Sequence, residues 1–524
     1  MNLCTPERVP TECIKSLVLI VVLFSLAFWA SPTAKAKPAA RLEIAVDDVG
    51  GQPLPCRIHL FDEQGDAQKV AGQPFWHDHF VCSGRVTASL APGQYDYAIE
   101  RGPEYRRKTG QIEIAAGEDR RLNVTLERVA NLREAGWYSG DLHVHRPVAE
   151  IEQLMRAEDL DFAPVITWWN NRNTWKDKVI PEQVDRQFDG HRTYTVMAGE
   201  DEREGGALLY FGLQAPLDIE TDDREFPSPM QFVRDARNRN REVWIDIEKP
   251  FWWDVPSWLA SGQMNSIGVA NNHMCRSQMY PSEAWGKPRD VQRLPEPRGN
   301  GFWTQEIYYH MLESGLRLPP SAGSASGVLP NPVGYNRVYV HLDEPFSGDA
   351  WFRGLSRGRC FVTNGPLLLV TADGHDPGAT IKLQSGESRT LRINIELTSQ
   401  DPISQIELIK NGKVSRTIQC SDERTQQHTF ELAVDEPSWF LVRAIADVEN
   451  TFRFATTAPW FVQVGGVEHR ISRGSVQFFL DWVNERIERV QANIKDGAER
   501  EQVLVWHAKA REFWTERLKM ANAE

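Results

Sequence analysis

Between residues 137 and 366 the chain alternates short apolar runs with stretches of helical period, and this succession constrains its fold most. Ile151, Leu154, Met155 and Leu160 recur at helical spacing over 148–159 and its edge. Residues 162–167 then form an unbroken apolar run, as a parallel strand buried on both faces requires. Segments 194–198 and 208–213 read as strands, 230–238 as a helix and 242–247 as a strand. Strand, helix, strand in sequence predicts an α/β domain around a parallel sheet, because parallel neighbours need a crossover between them.

The flanks carry a different period. Residues 40–129 hold several short alternating runs separated by Gly50-Gly51 and Ala91-Pro92-Gly93, which predicts a small antiparallel β-sandwich. The Ala-Pro-Gly-Gln-Tyr-Asp-Tyr run there is similar to carboxypeptidase-regulatory-like modules. His77-Asp78-His79 lies inside it and reads as a solvated loop, since nothing nearby in sequence supplies a third ligand at a typical spacing. Residues 367–466 return to alternation around an Asn411-Gly412 turn, which predicts a second sandwich. Val476, Leu480, Val483, Ile487 and Val490 recur at a helical period, and Val503, Trp506, Ala510 and Trp514 resume it after Gly497. This predicts a helical hairpin over 471–520 that packs its apolar stripe on its own chain.

A length of 524 residues suggests two to four domains at about 150 residues each. The net charge of -13, with no long basic run, argues against nucleic acid as a partner. Residues 1–36 read as a signal peptide: Arg8 and Lys15, an apolar run over 17–29, then Ala34-Lys35-Ala36 as a cleavage site. That run is shorter than the ~20 residues a membrane span needs, so the expectation is a secreted or periplasmic protein with no stable membrane insertion after cleavage. Cys56 and Cys82 fall in one small β-rich region and could pair in an oxidising compartment.

The chemistry concentrates in Gly136-Trp-Tyr-Ser-Gly-Asp-Leu-His-Val-His145. Alternation places Asp141, His143 and His145 on one strand face, and two imidazoles beside a carboxylate can ligate one metal ion. This stretch resembles the opening motif of the polymerase and histidinol phosphatase (PHP) superfamily, closest to its carbaryl-hydrolase-like (CehA/McbA) branch of secreted or periplasmic metallohydrolases. The resemblance implies a distorted (β/α)7 barrel over 137–366, flanked by the two sandwiches, with its site at the C-terminal strand ends. It also implies that Glu200, in Ala198-Gly-Glu200, is a metal ligand. Elsewhere the sequence departs from the family. Thr167-Trp168-Trp169-Asn170 stands where the family has Thr-Asp-His-Asn, Lys249-Pro250 where it has His-Pro, and Gly323-Ser-Ala-Ser-Gly327 where it has Gly-Ser-Asp-x-His.

Two readings follow. In the first, a single divalent ion, zinc by its His-rich ligand set, is held by His143, His145 and Glu200. His273, Glu248 and Asp201 are the candidates for a fourth ligand, Asp201 or Glu248 for a general base, and Lys249 for stabilising negative charge. The enzyme would be a metal-dependent hydrolase of an ester, phosphoester or glycan-linked substrate. In the second, Lys249 replaces the metal's charge and the barrel is a non-catalytic carbohydrate-binding protein. The chain has 18 tryptophans, and Trp168, Trp169, Trp252 and Trp253, with Asn170, are candidate substrate contacts near the cleft. Arg317, Asn336 and Arg337 flank a long irregular segment, 315–337, expected to lie over the cleft and to hold an anionic or hydroxylated ligand.

Overall fold

The computed structural model describes residues 40–219 and 223–524; the expected signal segment lies outside the described residues. In the middle of the chain, Trp137–Gly140 lies parallel to Phe162–Trp169, which lies parallel to Arg192–Arg203. Gly206–Phe211 then turns back antiparallel, and Trp244–Ile247 runs antiparallel to it. Ser266–Ala270 and Pro320–Ala322 follow in parallel. The strand network is closed, with Arg337–His341 antiparallel to Trp137–Gly140. The architecture is thus mixed α/β, and the sheet is only partly parallel, because the Arg203 to Gly206 connection is a tight hairpin with no room for a crossover helix.

The network also runs past the expected domain edge at 366. Cys360–Thr363 pairs with Arg337–His341 on one side and with Phe454–Thr457 on the other, so one sheet continues into the C-terminal strands. The expected helices over 148–159 and 230–238 are present as Ile151–Glu158 and Pro229–Arg239. Ser228 caps the second by accepting from the Met230 amide, and Asp159, at φ 49°, ends the first. Gly299–Glu313 is a helix buried on nearly every side, so its sequence carries no apolar stripe to read.

The N-terminal unit has two sheets and its own core, which includes Leu42, Ile44, Ile58, Phe80 and Ile99. It is not purely antiparallel, since Ala40–Asp47 pairs in parallel with Asp119–Thr125. Cys56 and Cys82 sit opposite each other on paired strands as free thiols, their sulfurs 3.8 Å apart. Arg57 ties this unit to the middle one by donating to Glu100 and Glu158. After the C-terminal strands, helices Arg473–Asn493 and Gly497–Lys519 fold back onto the middle core. Trp514 Nε1 donates to the Pro256 carbonyl at 3.0 Å, and Arg486 pairs with Asp254 and Glu225. No described helix is long and apolar enough to cross a membrane.

Candidate metal centre

Two buried groups of His, Asp and Glu among the described residues could hold a metal ion: His143, His145 and Glu200, and His59, Asp78 and His79. The first is assembled from the segment after Trp137–Gly140 and the end of Arg192–Arg203, two strands that lie parallel on either side of Phe162–Trp169. The backbone leaves the strand Trp137–Gly140 at Asp141, and Val144 bridges to Val165 and Ser326 on either side. Period two then turns His143 and His145 toward the same space. Asp141 faces elsewhere, contrary to the single polar face expected. It accepts from the backbone amides of His143 (3.0 Å), Ser324 (2.9 Å) and Gly334 (2.7 Å), and so brackets the motif to the 323–334 segment.

His143 Nε2 and His145 Nε2 lie 2.9 Å apart, and Glu200 Oε2 is 3.3 Å from the first and 3.1 Å from the second. Ligand atoms about 2.0–2.2 Å from one tetrahedral zinc ion sit roughly 3.3 Å from each other, so the three atoms are nearly at coordination spacing. Glu200 Oε2 is buried and meets both imidazoles without hydrogen-bond geometry, an arrangement that suits a shared cation better than direct bonding. Burial pushes the His143 imidazole down, but the Glu200 and Glu248 carboxylates outweigh it and hold it up to about 10. The reciprocal effect acts on Glu200: burial alone would raise it, yet the two imidazoles keep it well below the usual carboxylate range.

Glu248 stands behind the group. Its Oε1 is 3.3 Å from His143 Nδ1, so it orients that ring and leaves Nε2 free to face Glu200. Trp252 Nε1 and Asn272 Nδ2 each donate to Glu248 at 2.8 Å, and Lys249 donates to both of its oxygens. Lys249 therefore belongs to Glu248 and to the face of Trp252, 4.6 Å below its ammonium. Beneath this layer Asp246 accepts from Ser266 and Ser321 hydroxyls; burial pushes its carboxyl up to about 7 against those bonds.

Several expected site residues are placed elsewhere. Asp201 points to the opposite strand face from Glu200, where Arg203 holds it bidentately at 2.6 and 2.9 Å. His273 is outside the converging group and packs on Phe251 and Tyr280. Trp168 is core: its ring covers Gly199 so closely that any side chain there would overlap it. Trp252 and Trp253 are buried, the latter donating to the Trp285 carbonyl at 2.7 Å. Trp169 does reach the centre, its ring 4.9 Å from that of His145, and Asn170 bonds the backbone of Glu202. The 315–337 segment lies behind the ligands and not over the cleft, since Gly323 and Gly327 back onto His143 and His145. Arg317 stacks on Phe461, Asn336 donates to the Asn271, Met274 and Gly323 carbonyls, and Arg337 to those of Gly334 and Glu158.

Sequence reasoning missed Glu202. It lies two residues past Glu200 on the same strand face, half-buried, and burial followed by the Glu200 charge pushes its carboxyl up to about 7. The period-two spacing from Glu200 was the available signal. His77-Asp78-His79 is corrected as well. His77 is exposed, but His79 is buried and meets His59 from the adjoining strand across Asp78.

No family model matches the chain, and no curated protein matches it. Among solved structures, the Bacillus anthracis TIE protein shares 22% identity over 21% of this chain and 20% of its own, with a TM-score of 0.15. The CARDB domain of the PF1109 protein from Pyrococcus furiosus, in complex with di-metal ions, shares 16% identity over 19% of this chain and 96% of its own, with a TM-score of 0.14. The chain thus spans about a fifth of the length of the first of these, and likenesses this slight carry no argument about fold or activity.

Proposed function

We propose that the protein is a PHP-like metal-dependent hydrolase, exported from the cytoplasm, that cleaves an ester, phosphoester or glycan-linked small substrate at a single-ion site. The observation that carries this reading is the convergence of His143 Nε2, His145 Nε2 and the buried Glu200 Oε2 within 3.3 Å of one another. Three protein ligands suit a catalytic zinc ion, which supplies Lewis acidity and lowers the pKa of a water toward ~7.

The chain's own residues supply the remainder. Glu248 fixes the His143 ring, and the Lys249, Trp252 and Asn272 donors fix Glu248. Asp201 is excluded as a base by its pairing with Arg203, and Glu248 by its four partners. Among the described residues, Glu202 shares the strand face of Glu200 with no side-chain ion pair of its own, so it is assigned as the group that accepts the proton of the attacking water. Trp169, over His145, bounds the side on which a substrate ring would rest. Of the four tryptophans in the carbohydrate-binding reading, Trp168, Trp252 and Trp253 are buried and Trp169 is half-buried beside His145. The test is hydrolysis of a panel of aryl esters and phosphoesters by zinc-loaded protein. Turnover that disappears in Glu202→Gln while the ion is retained supports the assignment; no turnover of any member by a protein that has bound its ion contradicts it.

A further inference from the structure

We propose that His59, Asp78 and His79 form a second divalent-cation site, structural in kind, that fixes the 75–82 hairpin against the backbone around His145. It does not depend on the hydrolase assignment, because it concerns a different group of side chains in the N-terminal unit.

The group has the composition and the spacing of a binding site. His79 Nδ1 is 2.8 Å from Asp78 Oδ1, His59 Nδ1 is 3.3 Å from Asp78 Oδ2, and the two rings are 5.2 Å apart. The second observation is His59 itself. It is fully buried, and its Nδ1 meets Asp78 Oδ2 at 3.3 Å without hydrogen-bond geometry. Buried polar atoms are rarely left so, and a cation between the imidazoles and the carboxylate would pair it. Two imidazoles and one carboxylate select a borderline ion such as zinc over calcium or magnesium, which take oxygen ligands.

The surroundings accommodate the charge. Arg57 and Arg276 are near, but Glu100 pairs with both and Glu158 with Arg57. Arg57 Nε donates to His59 Nε2 at 3.0 Å, which places the ring proton on Nδ1. Uptake of a cation at Nδ1 moves that proton to Nε2, so the Arg57 contact is given up while its two carboxylate partners remain.

The hairpin reaches the first centre. Phe75–Trp76 pairs with His79 and Phe80 in register. Trp76 Nε1 donates to the Leu329 carbonyl at 2.8 Å, and Arg146, next to His145, donates to the Phe75 carbonyl at 3.2 Å and lies over the Trp76 ring. A cation at His79 therefore holds the strand that buttresses the His145 backbone from outside.

The experiment is zinc stoichiometry of the full chain after chelation and reloading, with thermal unfolding as the second readout. The wild type is expected to hold two ions, and His59→Ala plus His79→Ala one; Asp78→Asn, which keeps the volume, is expected to hold one as well. In the His143→Ala plus His145→Ala background, added zinc is still expected to raise the unfolding midpoint. Unchanged stoichiometry in the folded Asp78→Asn protein, or no zinc-dependent rise in the His143/His145 background, overturns the proposal. One ion retained in that background, and lost when Asp78→Asn is added to it, supports the proposal.

Discussion

Gly323→Ala tests the ligand geometry without removing a ligand. Gly323 has no positive φ, so the backbone tolerates alanine there and the effect is steric. A Cβ at this position falls 2.4 Å from His143 Cβ and 3.2 Å from the His143 amide nitrogen, against 3.4 Å for the shortest ordinary contact. His143 must therefore retreat by about 1 Å or the 323–327 segment must, and overpacking of this size costs roughly 1–3 kcal/mol. The His143 Nε2 to Glu200 Oε2 separation is already 3.3 Å, so a retreat of that size breaks the coordination spacing. Displacing an oriented ligand in this way is expected to weaken zinc binding by about 10–100-fold. The assay is competition with a chromophoric chelator, with circular dichroism as the fold control. Gly474→Ala, whose Cβ meets nothing closer than 3.9 Å, is the control substitution and should bind as the wild type does. A folded Gly323→Ala protein with wild-type affinity would refute the reasoning.

Four further outcomes follow from the contacts described. Glu248→Gln keeps the volume but exchanges the carboxylate that faces His143 Nδ1, and zinc affinity should fall about 10–100-fold by the same chelator competition. Zinc uptake must displace the proton that Glu200 and Glu248 hold on His143, so binding should release a proton measurable in unbuffered dye solution and weaken about tenfold per unit from about pH 9 to about pH 7. In the metal-free protein the sign is opposite: the raised His143 contributes stability fully present below its ordinary 6.5 and lost as pH rises through about 10, which urea midpoints across that window would show. Arg486→Met strips the counter-charge from buried Asp254 and Glu225 and should cost about 3–5 kcal/mol in urea unfolding, an unchanged midpoint being the contrary result.

The legible parts of this site were local. His143 and His145 are two residues apart, and strand alternation alone predicts that they share a face. Glu200 came only from the resemblance to the PHP pattern, because its partners lie more than fifty residues away. The sequence offers Glu248 as a fourth ligand or a base, whereas it orients His143 through Nδ1; a sequence does not say which ring nitrogen a carboxylate meets. His59 was missed for a related reason. It joins Asp78 and His79 from the neighbouring strand, and cross-strand register is set by pairing, not by spacing along the chain. The tryptophans misled in the other direction. Gly199, in the middle of the strand Arg192–Arg203, was the overlooked sign that Trp168 packs inward, since a strand glycine marks a close approach. The 315–337 segment read as a lid because it lacks periodicity. It is instead a buried seam, held by Asp141 and by the small residues at 323 and 327.

The central claim is that His143, His145 and Glu200 grip one ion, and anomalous diffraction from zinc-loaded crystals tests it most directly. The account predicts a zinc peak about 2.0–2.2 Å from His143 Nε2, His145 Nε2 and a Glu200 oxygen. Loaded crystals with no peak there, the two imidazoles still in contact with each other and Lys249 still on Glu248, would contradict it.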